Sequence, residues 1–258
     1  MDLKLTNKIA IVLAASKGLG KAVATALANE GATVIISSRN AEKLNEAAAE
    51  IKEATRSKVT CIPADVSKPK DIENLINTTV QKFGRIDILI NNTGGPPFDK
   101  FETFDDQAWR KAFDDILLSF ARNSRLVLPH MKKTGGGRII NIISGSAKSV
   151  LANSVLSTSM RMGVVGMAKL MADELGAYNI TVNNVAPGLI LTDRVKDTLP
   201  KDKPAEQILK ERAEAIPLKR IGKPEEFAGI VAFLASEKAS YITGTTIQVD
   251  GGASRSIY

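Results

Sequence analysis

Short aliphatic and β-branched runs alternate with longer amphipathic stretches along this chain, and that alternation constrains the fold most. It predicts buried strands separated by helices, which is the pattern of a parallel sheet covered on both faces. The predicted strands are Ile9–Ala15, Ala32–Ser38, Val59–Pro63, Ile86–Ile90, Arg138–Ile143, Ile180–Val185 and Thr245–Val249. The predicted helices are one ending near Asn29, then Ala41–Thr55, Pro69–Phe83, Asp105–Lys133 and Ser154–Tyr178. Because no linker or repeat interrupts them, we expect a single α/β domain over residues 1–258.

Several protein classes are excluded by composition. The longest apolar runs fall far short of the roughly 20 residues that span a bilayer, and no secretory leader follows Met1. Cys61 is the only cysteine, which rules out an internal disulfide and a cysteine-rich zinc site and predicts a cytoplasmic location. The net charge of +7 is spread over the chain, so we expect a preference for small anions rather than nucleic acid or membrane. No His, Asp or Glu cluster suggests a metal.

One segment, Asp193–Lys223, is far more polar than the rest and precedes the last predicted strand. Ligands of open α/β sheets bind at the carboxyl edge, where such an insertion would lie. We therefore expect a helical lid over a ligand cleft. A solvated pair of surface helices is the alternative.

The first strand leads directly into Ala14-Ala15-Ser16-Lys17-Gly18-Leu19-Gly20, which opens the first helix. Small residues at this turn let backbone N–H groups approach an anion, and the helix N-terminus faces it. A phosphate-binding loop is therefore predicted.

The end of the second strand selects between the two nicotinamide dinucleotides. NAD-binding proteins often place a carboxylate there for the ribose hydroxyls, but this chain has Ser37-Ser38-Arg39-Asn40. Arg39, together with Lys17 in the phosphate loop, can pair with a 2′-phosphate. NADP(H) is therefore the expected cofactor, with NAD(H) as the alternative.

Several motifs, in order and at matching spacing, resemble those of the short-chain dehydrogenase/reductase family, above all its 3-oxoacyl-carrier-protein reductases and sugar dehydrogenases. They are Ala14–Gly20, Asp65-Val66, Asn91-Asn92-Thr93-Gly94, Asn183–Gly188, Ile190 with Thr192, Ile242–Gly244 and Val249–Gly252. The resemblance implies a seven-stranded Rossmann-like, doubly wound sheet, hydride transfer between a nicotinamide and a carbonyl or alcohol, and a homotetramer, with a dimer as the alternative. It assigns to cofactor binding Ala14, Ser16, Lys17, Gly18, Leu19, Gly20, Ser38, Arg39, Asp65, Val66, Asn92, Thr93, Gly94, Arg161, Pro187, Gly188, Ile190 and Thr192.

The proton-transfer residues depart from the family pattern. Ser144 stands where the family has its catalytic Ser, but Ser157 replaces the Tyr and Arg161 replaces the Lys four residues later. Ile116 stands in place of the supporting Asn. The candidate catalytic residues are therefore Ser144, Ser157 and Arg161.

This replacement changes the available chemistry. Tyr titrates near 10 and can be tuned towards neutral pH, whereas a serine hydroxyl is a much weaker acid and an arginine does not relay protons. Because Ser157 and Arg161 are four residues apart, they should share one helix face. Arg161 could hold ribose hydroxyls or bind a substrate carboxylate. Three hypotheses follow: a divergent NADP(H)-dependent reductase, a nucleotide- or metabolite-binding pseudo-enzyme, and an enzyme of elimination or isomerisation.

Overall fold

The strands form one parallel sheet in a computed structural model that describes residues 2–197, 199–200 and 204–257. The strands are β1 Ile9–Leu13, β2 Thr33–Ser37, β3 Val59–Cys61, β4 Ile88–Asn91, β5 Gly137–Ile142, β6 Ile180–Pro187 and β7 Thr246–Val249. Their order is β3-β2-β1-β4-β5-β6-β7, and every neighbouring pair is parallel. This confirms the seven-stranded Rossmann-like sheet.

Helices cover both faces of the sheet. They are α1 Gly18–Asn29, α2 Ala41–Thr55, α3 Pro69–Phe83, α4 Asp106–Ala112, α5 Ser119–Lys133, α6 Val155–Leu175, α7 Asp193–Asp197, α8 Ala205–Glu214 and α9 Pro224–Ala235. Short 3-10 turns lie at Phe101–Thr103, Gly145–Ala147, Gly176–Tyr178 and Glu237–Ala239. None of the helices in the described ranges is long and apolar enough to cross a bilayer.

Alternate residues of the strands face two separate apolar layers. In β1, Ala10 and Val12 pack with α1, α2 and α9, while Ile9, Ile11 and Leu13 pack with α3, α5 and α6. Burial on both faces explains why the strands are continuous apolar runs.

Two features differ from the predicted elements. Helix α9 is missing from the prediction because its apolar run shows no helical period; Phe227 and Val231 are buried in the core. The long helix predicted over Asp105–Lys133 contains a π-helical turn, Phe113–Leu118, between α4 and α5.

The polar segment Asp193–Lys223 contains α7 and α8, and three of its own apolar residues, Leu199, Ile208 and Ile216, are buried. Its residues 198 and 201–203 lie outside the described residues. The segment follows β6 at the carboxyl edge of the sheet, where the predicted lid would lie.

Candidate active site

The turn between β1 and α1 is built for a close approach to an anion. Gly18 has φ +58° and Ala14 has φ +48°, so both occupy the left-handed region. A Cβ on Gly20 would lie 2.4 Å from the Ala14 carbonyl oxygen, so only glycine fits there. No side chain caps α1 and its first turn has no acidic residue, which leaves its N–H groups available to a phosphate. These features fit the diphosphate of a dinucleotide.

Other predicted cofactor residues lie against this turn. The Asn92 side-chain amide donates to the Ala14 carbonyl at 3.4 Å. A Cβ on Gly18 would be 3.7 Å from the Thr192 side chain. The structure therefore brings together the segments that follow β1, β4 and β6, although they are far apart in sequence. Thr93 and Gly94 continue the β4 segment.

The ends of β2 and β3 bring Arg39 close to Asp65. The Ala64 N–H donates to the Ser38 carbonyl at 3.1 Å, which holds the two segments side by side. Burial alone would raise the pKa of the Asp65 carboxyl, but hydrogen bonds from Ser67 and the charges of Arg39 and Lys68 lower it overall. Arg39 is exposed, as a group that meets a 2′-phosphate must be.

The backbone after β6 is tightly held. The Gly188 N–H donates to the Val249 carbonyl at 2.9 Å, and a Cβ on Gly188 would lie 2.4 Å from the Asp250 Cβ. Ile190 is buried and forms a β-bridge with Gly222. Pro187, Gly188 and Ile190 thus present backbone at a defined position beside β5.

Ser144 lies two residues beyond β5 and opens the 3-10 turn Gly145–Ala147. Its Oγ accepts hydrogen bonds from the Ser146 N–H at 3.2 Å and the Ser146 hydroxyl at 3.0 Å. Its own hydroxyl proton is left to donate elsewhere. A carbonyl oxygen is a suitable acceptor.

Ser157 and Arg161 are joined on the buried face of α6. The Arg161 Nε donates to the Ser157 Oγ at 3.2 Å, and Nη1 donates to the Ile142 carbonyl at 2.9 Å. Ile142 ends β5 two residues before Ser144. The guanidinium therefore connects the helix that carries Ser157 to the strand that precedes Ser144. Ser157 and Arg161 lie on one helix face, as their four-residue spacing predicted.

Arg161 is a buried cation, with only 5% of the residue exposed. Burial, together with the charge of Arg194, lowers the pKa of its guanidinium to about 10. No carboxylate forms an ion pair with it among the described residues. A pKa near 10 still leaves it protonated at neutral pH, so the site contains an uncompensated positive charge.

The π-helical turn Phe113–Leu118 stands beside α6 and contains Ile116, which is buried. The Ser119 hydroxyl donates to the carbonyls of Asp115 and Ile116, at 2.9 and 3.1 Å. The turn is therefore satisfied without an asparagine at position 116.

A ladder of buried amides crosses the sheet below the site, and sequence reasoning missed its extent. The Asn123 amide donates to Asn91, Asn91 donates to Asn141, and Asn141 donates to Asn184, at 3.1, 2.9 and 2.9 Å. Asn184 then donates to Thr246 at 3.1 Å. These bonds tie together the strands whose carboxyl ends carry the candidate residues. Two asparagines in the β4 and β6 motifs were the available signal.

A cleft of about 760 Å³ lies beside the first turns of α6. Ser146 lines it and hydrogen-bonds Ser144, whereas Ser157 and Arg161 face the sheet on another side of the helix. Lys148, Ser154 and Thr158 supply its polar groups. The cleft therefore adjoins Ser144 only through Ser146, and neither Ser157 nor Arg161 lines it.

Arg194 crosses from α7 to the loop after β4. Its Nη1 donates to the Gly95 carbonyl at 3.2 Å, and its Nη2 donates to the Pro96 carbonyl at 3.3 Å. A Cβ on Gly95 would lie 2.6 Å from Nη2, so the absence of a side chain makes room for the guanidinium. The sequence suggested that Asp193 and Arg194 either gate the cleft or form a surface ion pair, and no local pattern signals the contact of Arg194 with Gly95 and Pro96.

Across the described part of the chain, no group of three or more His, Cys, Asp or Glu side chains could hold a metal ion.

Comparison with known proteins shows the family. A sequence model described as "Enoyl-(Acyl carrier protein) reductase" matches residues 13–254. Dehydrogenase/reductase SDR family member 4 of Oryctolagus cuniculus is 40% identical over 250 residues, which cover 96% of this chain and 94% of that protein. The 7alpha-hydroxysteroid dehydrogenase of Escherichia coli K12 is 34% identical over 254 residues, covering 97% and 96%.

A solved structure gives the same result. L-sorbose reductase from Gluconobacter frateurii, complexed with NADPH and L-sorbose, superposes with a TM-score of 0.95 at 32% identity, covering the whole of both chains. The family match, the two relatives and the shared fold agree, and they lead to one conclusion: the chain belongs to the short-chain dehydrogenase/reductase family of oxidoreductases.

Proposed function

We propose that the chain is an NADP(H)-dependent reductase in which a serine replaces the usual proton donor. The observation on which this rests is the Arg161 side chain, which links the Ser157 hydroxyl to the end of β5 beside Ser144. The substrate is a carbonyl compound, or an alcohol in the reverse direction. Membership of the family, and the NADPH in the sorbose reductase structure, support hydride chemistry.

The residues that would hold the cofactor fit it in shape and charge. The turn 14–20 would hold the diphosphate, Arg39 and Lys17 the 2′-phosphate, and Asp65 with Val66 the adenosine. The nicotinamide end would meet the backbone and side chains of Asn92, Thr93, Gly94, Pro187, Gly188, Ile190 and Thr192, and Arg161 would face either its ribose or the substrate. When bound, the reduced cofactor supplies the hydride that adds to the carbonyl carbon.

The chain itself must bind the carbonyl oxygen and deliver a proton to it. Ser144 and Ser157 donate hydrogen bonds to that oxygen. The Arg161 Nε–H already points at the Ser157 Oγ, so it stabilises the negative charge that forms there when the hydroxyl gives up its proton. A water molecule then returns a proton to Ser157. The net products are the alcohol and the oxidised cofactor.

A second candidate function is binding without turnover. Its support is chemical: the position of the usual acid holds Ser157, an alcohol far weaker than a tyrosine, and Arg161 is an electrostatic group rather than a proton relay. The same weakness of acid chemistry leaves elimination or isomerisation as a further alternative.

The test is a fluorescence titration with NADPH and NADH, followed by a panel of carbonyl substrates on the same sample. Tight NADPH binding with turnover supports the reductase. Tight binding without turnover supports the binding protein, and the Ser157→Tyr, Arg161→Lys double variant should then gain activity if only the acid is missing. Failure to bind either nucleotide would refute the reductase and leave only a metabolite-binding role for the second candidate.

Three further properties belong to the same proposal. Exposed apolar side chains on α6, among them Met162 and Leu170, support self-association; a homotetramer is the proposed state, with a dimer as the alternative, and light scattering at micromolar concentration tests this. The lone Cys61 favours a cytoplasmic location. The segment Asp193–Lys223 acts as the lid, since the Arg194 side chain already reaches the loop after β4.

A further inference from the structure

Two arginines at the carboxyl edge of the sheet have no acidic partner among the described residues. Arg161 comes from α6 and lies against the end of β5, while Arg194 comes from α7 and lies against the loop after β4. Strands β4, β5 and β6 are neighbours, so these segments converge on one edge. The hydrogen bonds of both side chains go to neutral acceptors, which orient a guanidinium without neutralising it.

The Arg161 guanidinium has capacity left for a ligand. Nε and Nη1 are engaged by Ser157 and Ile142, but Nη2 has no acceptor in the described part of the chain. A charged donor without a protein acceptor needs a water or a ligand. The charge of Arg194 acts on the same guanidinium and makes the need for an anion greater.

We propose that Arg161 and Arg194 form an anion subsite that binds the carboxylate of a short oxo acid, whose carbonyl group lies at Ser144 and Ser157. This rests on the proposed reductase function and deepens it by naming the substrate class. Because Arg161 donates directly to Ser157, the carboxylate and the carbonyl of the substrate must lie close together, as they do in a short oxo acid. Guanidinium groups suit a carboxylate, since they form two parallel hydrogen bonds with it.

Gly95 is part of the same arrangement. A Cβ there would collide with the Arg194 Nη2, so Gly95→Ala should displace the guanidinium while leaving its charge in the protein. Gly95 is thus a positioning residue for the subsite. Lys196 offers a matched control for charge: it is exposed, stands two residues from Arg194 on α7, and can be replaced by glutamine.

The kinetic test compares reduction of 3-oxobutanoate with that of its neutral methyl ester, using NADPH. The wild type should favour the acid in kcat/KM. Arg194→Gln should lower that preference about 10- to 100-fold, the effect of losing one charged hydrogen bond, and Gly95→Ala should lower it less. Lys196→Gln should leave the preference unchanged. Equal use of acid and ester by the wild type would overturn the subsite while leaving the reductase standing.

A binding test needs no turnover. Malonate should raise the Tm of the wild-type protein without nucleotide, while neutral malonamide should not, and Arg194→Gln should abolish the malonate effect. The cofactor's own diphosphate is the other possible anion. If Arg194→Gln weakens NADPH binding and leaves the malonate shift intact, the proposal is wrong. If the protein binds no nucleotide, the reductase fails and the malonate result alone decides whether the anion subsite exists.

Discussion

The Arg161 guanidinium donates to the Ser157 hydroxyl oxygen at 3.2 Å, which couples a buried cation to the residue that stands where the family has its acid. A tyrosine can be tuned by a nearby cation because its pKa already lies near 10. The pKa of a serine hydroxyl is much higher, so a cation must lower it much further to bring it towards neutral pH. The coupling therefore matters more here than in the usual site, because the cation must stabilise the oxygen of a hydroxyl that is a weak acid.

Replacing Ser157 with alanine tests whether that oxygen takes part. We expect kcat to fall about 100-fold or more, the contribution of a positioned proton donor, while the Kd for NADPH stays unchanged. Ser240→Ala, an exposed serine in the turn before β7, is the control and should have full activity. A Ser157→Ala variant with full turnover would mean that the proton comes from elsewhere, with Lys148 in the cleft the next residue to replace.

Replacing Arg161 with methionine separates function from stability. Burial lowers the pKa of Arg161 to about 10, and a shift of this size costs the folded state about 3 kcal/mol at neutral pH. Methionine removes that cost and leaves the Ile142 carbonyl unpaired, a loss of about 1–3 kcal/mol. We therefore expect a Tm equal to or above that of the wild type, together with loss of activity.

Arg138→Met is the matched control for this experiment. Burial also lowers the pKa of Arg138, but its side chain donates to three backbone carbonyls, those of Ser236, Gly137 and Asn179, and the charge of Glu237 partly offsets the effect of burial. Its replacement should lower Tm. A comparable loss in Arg161→Met would show that the hydrogen bonds of Arg161 outweigh the cost of burying its charge.

The difference in the free energy of unfolding between the wild type and Arg161→Met should change with pH in a defined direction. Because burial lowers the pKa of Arg161 in the folded state to about 10, the unfolded chain binds more protons than the folded chain above about pH 10. The free energy of unfolding of the wild type should therefore rise relative to that of Arg161→Met as the pH passes 10. Denaturant titrations of both proteins at pH 8 and pH 10.5 measure this difference.

Local signals in the sequence explain what could be predicted. Helices α2 and α3 begin and end as expected, because the Asn40 side chain accepts from the Lys43 N–H and because Pro69 and Gly84 mark the ends of α3. Helix α9 was not predicted, because its apolar residues form a continuous run without a helical period. The four-residue spacing of Ser157 and Arg161 likewise predicted their shared face.

Long-range contacts could not be read from those signals. Arg194 donates to the carbonyl of Gly95, a residue 99 positions away. Arg161 donates to the carbonyl of Ile142, and backbone acceptors have no sequence signature. The sequence therefore does not reveal which side-chain donors lie against which backbone carbonyls. These contacts determine the electrostatics of the candidate site.

The choice of cofactor is tested at Arg39. Replacing it with glutamine should weaken NADPH binding about tenfold or more, as expected for loss of a charged hydrogen bond to a phosphate, and leave NADH binding unchanged. Arg56→Gln is the control, because Arg56 is an equally exposed arginine at the other end of α2, away from the carboxyl edge. Equal loss for both nucleotides would assign Arg39 to general electrostatics rather than to the 2′-phosphate.

Two opposite substitutions test the backbone strain in the turn between β1 and α1. Ala14 has φ +48° and Gly18 has φ +58°, and L side chains are disfavoured at both positions. The left-handed conformation costs a non-glycine residue about 1–2 kcal/mol, partly offset because glycine loses more freedom on folding. Ala14→Gly should thus raise Tm by about 2–4 °C and leave NADPH affinity unchanged.

Gly18→Ala is the reverse experiment in the same turn. A Cβ there has room, since its nearest neighbour is the Thr192 side chain at 3.7 Å, so only the backbone conformation is penalised. Its Tm should fall by about as much as that of Ala14→Gly rises. If Ala14→Gly leaves Tm unchanged while Gly18→Ala lowers it, the freedom that glycine loses on folding cancels the relief of strain at position 14.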